Sequence, residues 1–223
     1  MQSIHLPSSR ALQLSSELIA TLPVGLAGLY NPWAERCLYD AEGNGPEQRL
    51  ERLAQHLDCS PRFVMLGEAP GYAGCRYTGV AFTSERLVMD GAVPRVSRSP
   101  GRLTTRQLRF SEPSATMVWD TLYQLGEGFA EQVVLWNALQ LHPFKPEKGP
   151  HSNREPEPAE LVHGRASAIL LRQAFPDAKF VAIGRKAELM LAQAGIVSDA
   201  AIRHPSNGGK PEFVEGMRRL AGQ

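Results

Sequence analysis

Apolar positions recur along the chain in two different patterns. Over residues 9–21 and 46–57 they return every three or four residues, the spacing that places them on one face of a helix. Three other segments are short and continuously apolar: residues 63–66 ending at Gly67, 133–136 ending at Asn137, and 180–183 ending at Gly184; a short fourth candidate, 200–203, ends at His204. Runs of this length, closed by turn residues, predict strands buried on both faces. Helical patterns at 114–125, 158–175 and 185–194 fall between them, so strands alternate with helices as a parallel sheet requires. Right-handed crossovers then cover both faces. The expected fold is one domain over residues 1–223, an α/β, three-layer α/β/α sandwich around a short, mostly parallel central sheet of about four strands.

This order has a consequence for function, because open parallel sheets bind ligands beyond the carboxyl ends of their strands. The first strand delivers Gly67-Glu68-Ala69-Pro70-Gly71 to that edge, the second delivers residues 137–143, and the fourth delivers His204-Pro205-Ser206-Asn207. A carboxylate, an amide and an imidazole from three separate segments suit a polar ring with an attached sugar. Taken singly each is weak. The 67–71 turn fits neither G-x-G-x-x-G nor a P-loop, Asn137 alone reads as a strand-end turn residue, and a lone histidine such as His204 is more often structural than catalytic.

Composition removes other classes. At 223 residues, 43% hydrophobic and 21% charged, the chain is an ordinary globular one, not collagenous, mucin-like or disordered. Its 20 Gly and 17 Pro cluster between apolar runs, where they predict long functional loops. The longest uncharged stretch, 18–34, is broken by Pro23 and Pro32 and is shorter than the roughly 20 apolar residues of a bilayer span. With no basic patch and apolar run at the start, a cytoplasmic location is expected. Cys37, Cys59 and Cys75 form no C-x-x-C pair, so reduced thiols are expected, and no metal is.

Net charge is only +1, but its distribution is uneven. Arg86, Arg95, Arg98, Arg102, Arg106 and Arg109 crowd one Pro- and Gly-containing stretch whose sole acid is Asp90, giving an expected mobile basic loop. It is either a phosphate track or a solvated insertion. The general preference for Arg over Lys suits bidentate phosphate contacts and equally suits a GC-rich genome.

The ordered set Gly67-Glu68-Ala69-Pro70-Gly71, Thr78-Gly79-Val80-Ala81-Phe82, Asn137 in Leu-Trp-Asn, Asn153-Arg154-Glu155-Pro156-Glu157-Pro158 with Glu160, Ala182-Ile183-Gly184-Arg185-Lys186-Ala187 and His204-Pro205-Ser206 resembles the uracil-DNA glycosylase superfamily. The likeness is nearest to family four, with some to family five, and covers roughly residues 62–213 in order. It implies a monofunctional enzyme that flips uracil or a related deaminated base out of DNA and hydrolyses its N-glycosidic bond, leaving an abasic site. By that resemblance Glu68 and His204 are catalytic, Glu68 steadying the sugar cation and orienting water, His204 donating to uracil O2. Phe82 stacks on the base, Asn137 pairs with its O4 and N3 edge, and Gly67, Ala69, Pro70 and Gly71 complete the substrate pocket. Ser206, Asn207 and Gly208, with Arg98, Arg102 and Arg106 of the basic loop, are the expected DNA contacts. The partner is then uracil-containing DNA, the protein is expected as a monomer, and no membrane is involved.

The chain departs from the family pattern at several places. Ala69 stands where family one has its water-activating Asp, Gly71 where those enzymes carry the Tyr that rejects thymine, and Ala81 where a Pro precedes the stacking Phe. Two positions of the four-cysteine iron-sulfur site of family four fall on Leu141 and Gly164, so no cluster and no other cofactor is expected. The alternatives are a catalytically reduced, damage-binding protein on the same scaffold, and a hydrolase of free nucleosides or nucleotides, for which the basic loop would have no use.

Overall fold

The computed structural model describes residues 5–223. The chain opens with α1 (Ser9–Ala20), whose N-cap Ser8 accepts the Ala11 N–H at 3.3 Å, passes through β1 (Leu29–Tyr30) and enters α2 (Pro46–Leu57). Then come β2 (Phe63–Gly67), the single turn α3 (Cys75–Thr78), α4 (Glu85–Asp90) and α5 (Pro113–Gln124). The second half holds β3 (Val133–Asn137), β4 (His142–Pro143), α6 (Val162–Ala174), β5 (Lys179–Ile183), α7 (Arg185–Gln193), β6 (Ala200–Ile202) and α8 (Lys210–Ala221).

Four strands form one parallel sheet in the order β3-β2-β5-β6. Their alternation sorts the core into two apolar layers. Val64, Leu66, Val134, Trp136, Phe180 and Ala182 pack with Leu18, Leu53, Leu171 and Met190 from α1, α2, α6 and α7. Phe63, Met65, Val133, Leu135, Val181 and Ile183 pack with Val118, Trp119, Phe213 and Met217 from α5 and α8. This is the expected three-layer α/β/α sandwich. The four strands lie where the apolar runs placed them, to within a residue at their ends. The chain winds outward from β2 to β3 and then crosses back to β5, so the topological switch point lies between β2 and β5.

Some elements differ from expectation. The helix foreseen over 158–175 starts as a 3-10 turn, Pro158–Leu161, and becomes α6 only at Val162. Helix α8 was not foreseen at all: only Phe213, Gly216 and Met217 of its residues are buried, and the interior Gly216 reads as a breaker. That glycine is needed, since a Cβ there would stand 2.8 Å from Ile202 Cγ2 of β6. The antiparallel pair β1–β4 also lay below the sequence signal, being two residues long. Among the described residues no helix is long and apolar enough to cross a membrane.

The arginine-rich segment after α4 is not the loose loop its composition suggests. Glu85, fully buried at the start of α4, accepts hydrogen bonds from Arg102 Nε (2.8 Å), from the backbone N–H of Leu103 (2.9 Å), Thr104 (3.0 Å) and Phe110 (2.8 Å), and from the Thr104 hydroxyl (3.0 Å). Arg95 reaches the carbonyls of His56, Glu131 and Val133, Arg98 that of Met89, and Arg109 pairs with Asp90 at 2.8 Å. Burial alone would raise the Glu85 pKa, but the Arg102 bond and the three backbone donors together hold it below the usual carboxylate range. Glu85 thus contributes stability that is present at neutral pH and is lost as pH falls through its lowered folded-state value. Glu85→Ala leaves Arg102 and three buried N–H groups without their acceptor, and is expected to cost about 3 kcal/mol or more in urea unfolding at neutral pH, the difference shrinking in acid.

Candidate active site

A cavity of about 440 Å³ opens at the switch point, and its wall includes Glu68, Ala69, Pro70, Gly71, Phe82, Glu112, Asn137, His204, Ser206 and Asn207. Gly67 and Asn137 are register partners at the ends of β2 and β3, and the ladder continues past them through Ala138 N–H to Gly67 O at 2.8 Å and Leu139 N–H to Glu68 O at 2.9 Å. The floor of the cleft is therefore an extension of the sheet.

Phe82 reaches this floor because Gly67 has no side chain. A Cβ at Gly67 would come within 2.5 Å of the Phe82 ring and 3.1 Å of Asn137 Oδ1. The turn that carries Phe82 is tightly tied. Arg52 of α2 donates from Nε to Thr78 O (2.7 Å) and from a terminal nitrogen to Tyr77 O (3.2 Å), α3 ends on Gly79 in the left-handed conformation (φ +75°), and the Thr78 and Thr83 hydroxyls both donate to Val80 O. Phe82 itself has φ +50°, uncommon for an aromatic residue, and its carbonyl accepts from Trp119 Nε1 at 2.8 Å.

The polar groups around that ring are held in defined states. Asn137 is nearly buried, its carbonyl oxygen accepts from Gln140 Nε2, and among the described residues its side-chain amide has no hydrogen-bond partner, leaving one donor and one acceptor facing the cavity. His204 follows β6, its ring centroid 5.7 Å from that of Phe82. The Ser206 backbone N–H, which can only donate, points at His204 Nδ1 at 3.2 Å, and the Ser206 hydroxyl lies 2.7 Å from the same atom. Nδ1 is thus an acceptor, and the neutral ring carries its proton on Nε2. Burial, helped by the charge of Arg203, lowers the His204 pKa to about 4.

Glu68 is half-buried, and its neighbour Gly184 (φ +93°) is closely packed, since a Cβ there would stand 3.0 Å from Glu68 Oε1 and 3.3 Å from His204 Cβ. Burial raises its pKa, and the charge of Glu155 adds to this, while Lys186 and Arg203 pull the other way. Asn153 also lines the cleft, its Oδ1 accepting from Tyr72 N–H at 3.0 Å, and Arg154 beside it is paired with Glu160 at 2.6 Å.

Of the positions singled out from sequence, Glu68, Ala69, Pro70, Gly71, Phe82, Asn137, Ser206, Asn207 and His204 meet at this one cavity, with Gly67 beneath Phe82. Gly208, Arg98, Arg102 and Arg106 are not part of its wall. Arg102 is spent on Glu85 and Arg98 lines a separate depression with Gly91 and Tyr123, whereas Arg106 lies 4.1 Å over the Phe110 ring, which packs against Tyr72 beside Gly71. Glu112 is the residue that sequence reasoning missed. It precedes Pro113 at the start of α5, and nothing in its local motif distinguishes it from a solvated helix-entry acid.

The iron-sulfur site of family four does not fit this chain. Leu141 is buried in the apolar core, a Cβ at Gly164 would overlap the Ala138 carbonyl oxygen, and among the described residues no three His, Cys, Asp or Glu side chains form a metal-binding group.

A parallel α/β sheet that carries an aromatic face, an amide and a neutral imidazole at its switch point has the build of an enzyme for a flat polar ring. Over residues 54–214 the chain matches the Uracil DNA glycosylase superfamily. It belongs to that superfamily, and its class is that of the DNA glycosylases. No curated protein matches it. Among solved structures it is similar to that of wild-type SMUG2 from Pedobacter heparinus, with 17% identity over 99% of this chain and 97% of that one and a TM-score of 0.63, a likeness of fold.

The assigned tautomer and charge of His204 can be measured directly. In NMR titrations its ring is expected to stay neutral, with the proton on Nε2, from pH 8 to pH 5 and to protonate only near pH 4. An imidazole that titrates near the ordinary value of about 6.5 would contradict the buried setting described.

Proposed function

We propose that the protein is a monofunctional DNA glycosylase that removes uracil or a related deaminated base by base flipping and hydrolysis. The observation that carries this reading is that Phe82, Asn137, His204 and Glu68, from four separate segments, face a single cavity of about 440 Å³.

Extruding a nucleotide costs a few kcal/mol, and the cleft has means to offset it. The buried Phe82 ring offers a stacking face, and the unpartnered Asn137 amide can accept from N3–H and donate to O4 at once. Cleavage drives negative charge onto O2 of the leaving uracil and positive charge onto the deoxyribose. His204 answers the first as a fixed Nε2–H donor; being neutral and reluctant to protonate, it stabilises the anion without itself surrendering or taking a proton. Glu68, when ionised, answers the second, and it can hold the water that adds to C1′ and accept that water's proton. Among the described residues no lysine lines the cavity, in keeping with release of an abasic site by water.

Ser206, Asn207 and Gly208 follow His204, with Asn207 (φ +51°) and Gly208 (φ +79°) in a tight turn that can bring backbone N–H groups to phosphate. Of the three arginines expected to contact DNA, Arg106 connects to the cleft by way of Phe110 and Tyr72, the neighbour of Gly71 in the cavity wall. Ala69 in place of the family-one Asp favours one second reading, a protein that binds damaged DNA with little cleavage.

Single-turnover assays on oligonucleotides bearing one uracil, followed by alkaline cleavage, test the proposal. Glu68→Gln is expected to bind the substrate as wild type does and to cleave it about 100-fold more slowly, and His204→Ala to lose roughly 10²- to 10³-fold in rate with little change in ground-state binding. Wild-type protein that binds uracil-containing DNA tightly and never cleaves it would establish the binding-protein reading instead.

Arg106→Ala is expected to weaken DNA binding and to lower the slope of log affinity against log salt by roughly 0.7 to 0.9, the value of one phosphate contact. An unchanged slope would make Arg106 a surface residue with no phosphate partner.

A further inference from the structure

Glu112 faces the cleft and has no task in the steps above. It occupies the N-cap position of α5, yet its side chain bonds no N–H of that helix. Among the described residues its carboxyl has neither an ion-pair nor a hydrogen-bond partner. The side chain instead lies over the loop that follows β2. A Cβ at Gly74 would overlap its Oε2, so the carboxyl fills space that a side chain at 74 would otherwise hold, and its Oε1 lies in van der Waals range of Gly71, 3.6 Å from where a Cβ would stand. The bare backbone at Gly74 thus admits a carboxyl from a distant helix to the wall of the cavity.

Its protonation state follows from that setting. Burial pushes the Glu112 pKa up to about 7, so near neutral pH a large share of the molecules carry it as the uncharged acid, an O–H donor. A general acid works best with a pKa close to the working pH.

The other groups determine which edge of a bound base this donor meets. A ring stacked on Phe82 gives its Watson–Crick edge to Asn137, at the end of β3, and its O2 side to His204, beyond β6, the two margins of the sheet. What remains is the C5–C6 edge, facing the loop after the central strand β2, where Glu112 lies. In uracil that edge carries only C–H groups and cannot use a proton. In a purine the same edge carries N7.

We propose that Glu112 is the general acid of this cleft for deaminated purines, protonating N7 of hypoxanthine as its bond to deoxyribose breaks. The inference deepens the glycosylase reading and rests on it. The C1′–N9 electron pair stays with the base, N7 takes the carboxyl proton, and hypoxanthine leaves neutral. Water adds to C1′ and yields its proton to Glu68, and the Glu112 carboxylate regains a proton from solvent. Uracil, which leaves as an anion held by His204, needs no such donor, so one cleft handles the two leaving groups by different means.

The test uses the full chain under single-turnover conditions on three duplexes, containing uracil, hypoxanthine or 7-deazahypoxanthine at the same position. Wild type is expected to release uracil and hypoxanthine and to leave the 7-deaza base, which lacks the proton acceptor, in place. Glu112→Gln, close to isosteric, and Glu112→Ala are expected to slow hypoxanthine release by about 100-fold or more while leaving the uracil rate within a few-fold of wild type. Release of 7-deazahypoxanthine as fast as hypoxanthine overturns the inference, and this needs no variant to fold. It is equally overturned if wild type releases uracil but not hypoxanthine, or if the variants slow both bases alike, outcomes that leave the glycosylase reading standing. If neither base is released, the glycosylase reading itself falls.

Discussion

The cleft depends on two buried guanidinium groups of α2. Arg49 and Arg52 sit on the inner side of that helix and grip loops and short elements: Arg49 holds the carbonyls of Pro32 and Glu35, the Tyr30 hydroxyl and the Asp40 carboxylate, and Arg52 holds the carbonyls of Tyr77 and Thr78 and the Asn44 side chain. A buried cation deprived of its acceptors is costly. The loops can leave only by abandoning that charge, so they stay, and Gly79 can lie directly against Arg49 because a Cβ there would be 2.6 Å from the Arg49 Cβ. Three residues further on is Phe82. The rigidity of a stacking ring at the centre of the cleft is thus set at its far side, by electrostatics inside a helix that an apolar pattern alone would describe as ordinary.

The same economy of solvent governs the working groups. Burial leaves His204 neutral and raises the pKa of Glu68 and Glu112 in the cavity wall, each by desolvation before any neighbour acts. The two carboxyls then diverge. Glu68 has Lys186 and Arg203 to favour its charged form, whereas Glu112 has nothing resolved to oppose burial. Two acids in one cavity, set apart by environment, are the usual means by which a site obtains a base and an acid from the same chemistry.

How much of this was legible in the sequence follows from the range of each interaction. The apolar runs at 63–66, 133–136 and 180–183 are self-announcing, because a strand buried on both faces must be apolar throughout, and their final residues locate the functional edge. Gly67, Glu68, Asn137 and His204 were found in that way, and the motif likeness added Phe82, which no periodicity marks. The basic segment was misjudged for a complementary reason: its organiser, Glu85, lies one residue outside it, and a count of charges cannot show that one buried carboxylate collects three backbone donors and Arg102. Glu112 was invisible because its place in the cleft is created by what is missing at Gly74, and a chain read in one dimension does not show which distant side chain enters a gap.

The groups that face the cavity stand at residues 68, 82, 112, 137 and 204, a spread of well over half the chain. No contiguous fragment contains even a crude version of the cleft. During synthesis the first four are made long before His204 emerges, and until β6 docks on β5 the nascent chain has a pocket with one wall absent. Parallel pairings between such distant segments form slowly, since loop closure must precede the contacts that reward it. Premature termination anywhere before residue 204 therefore yields a product with no imidazole in the cleft, so the site appears in a single step that waits for the segment around His204.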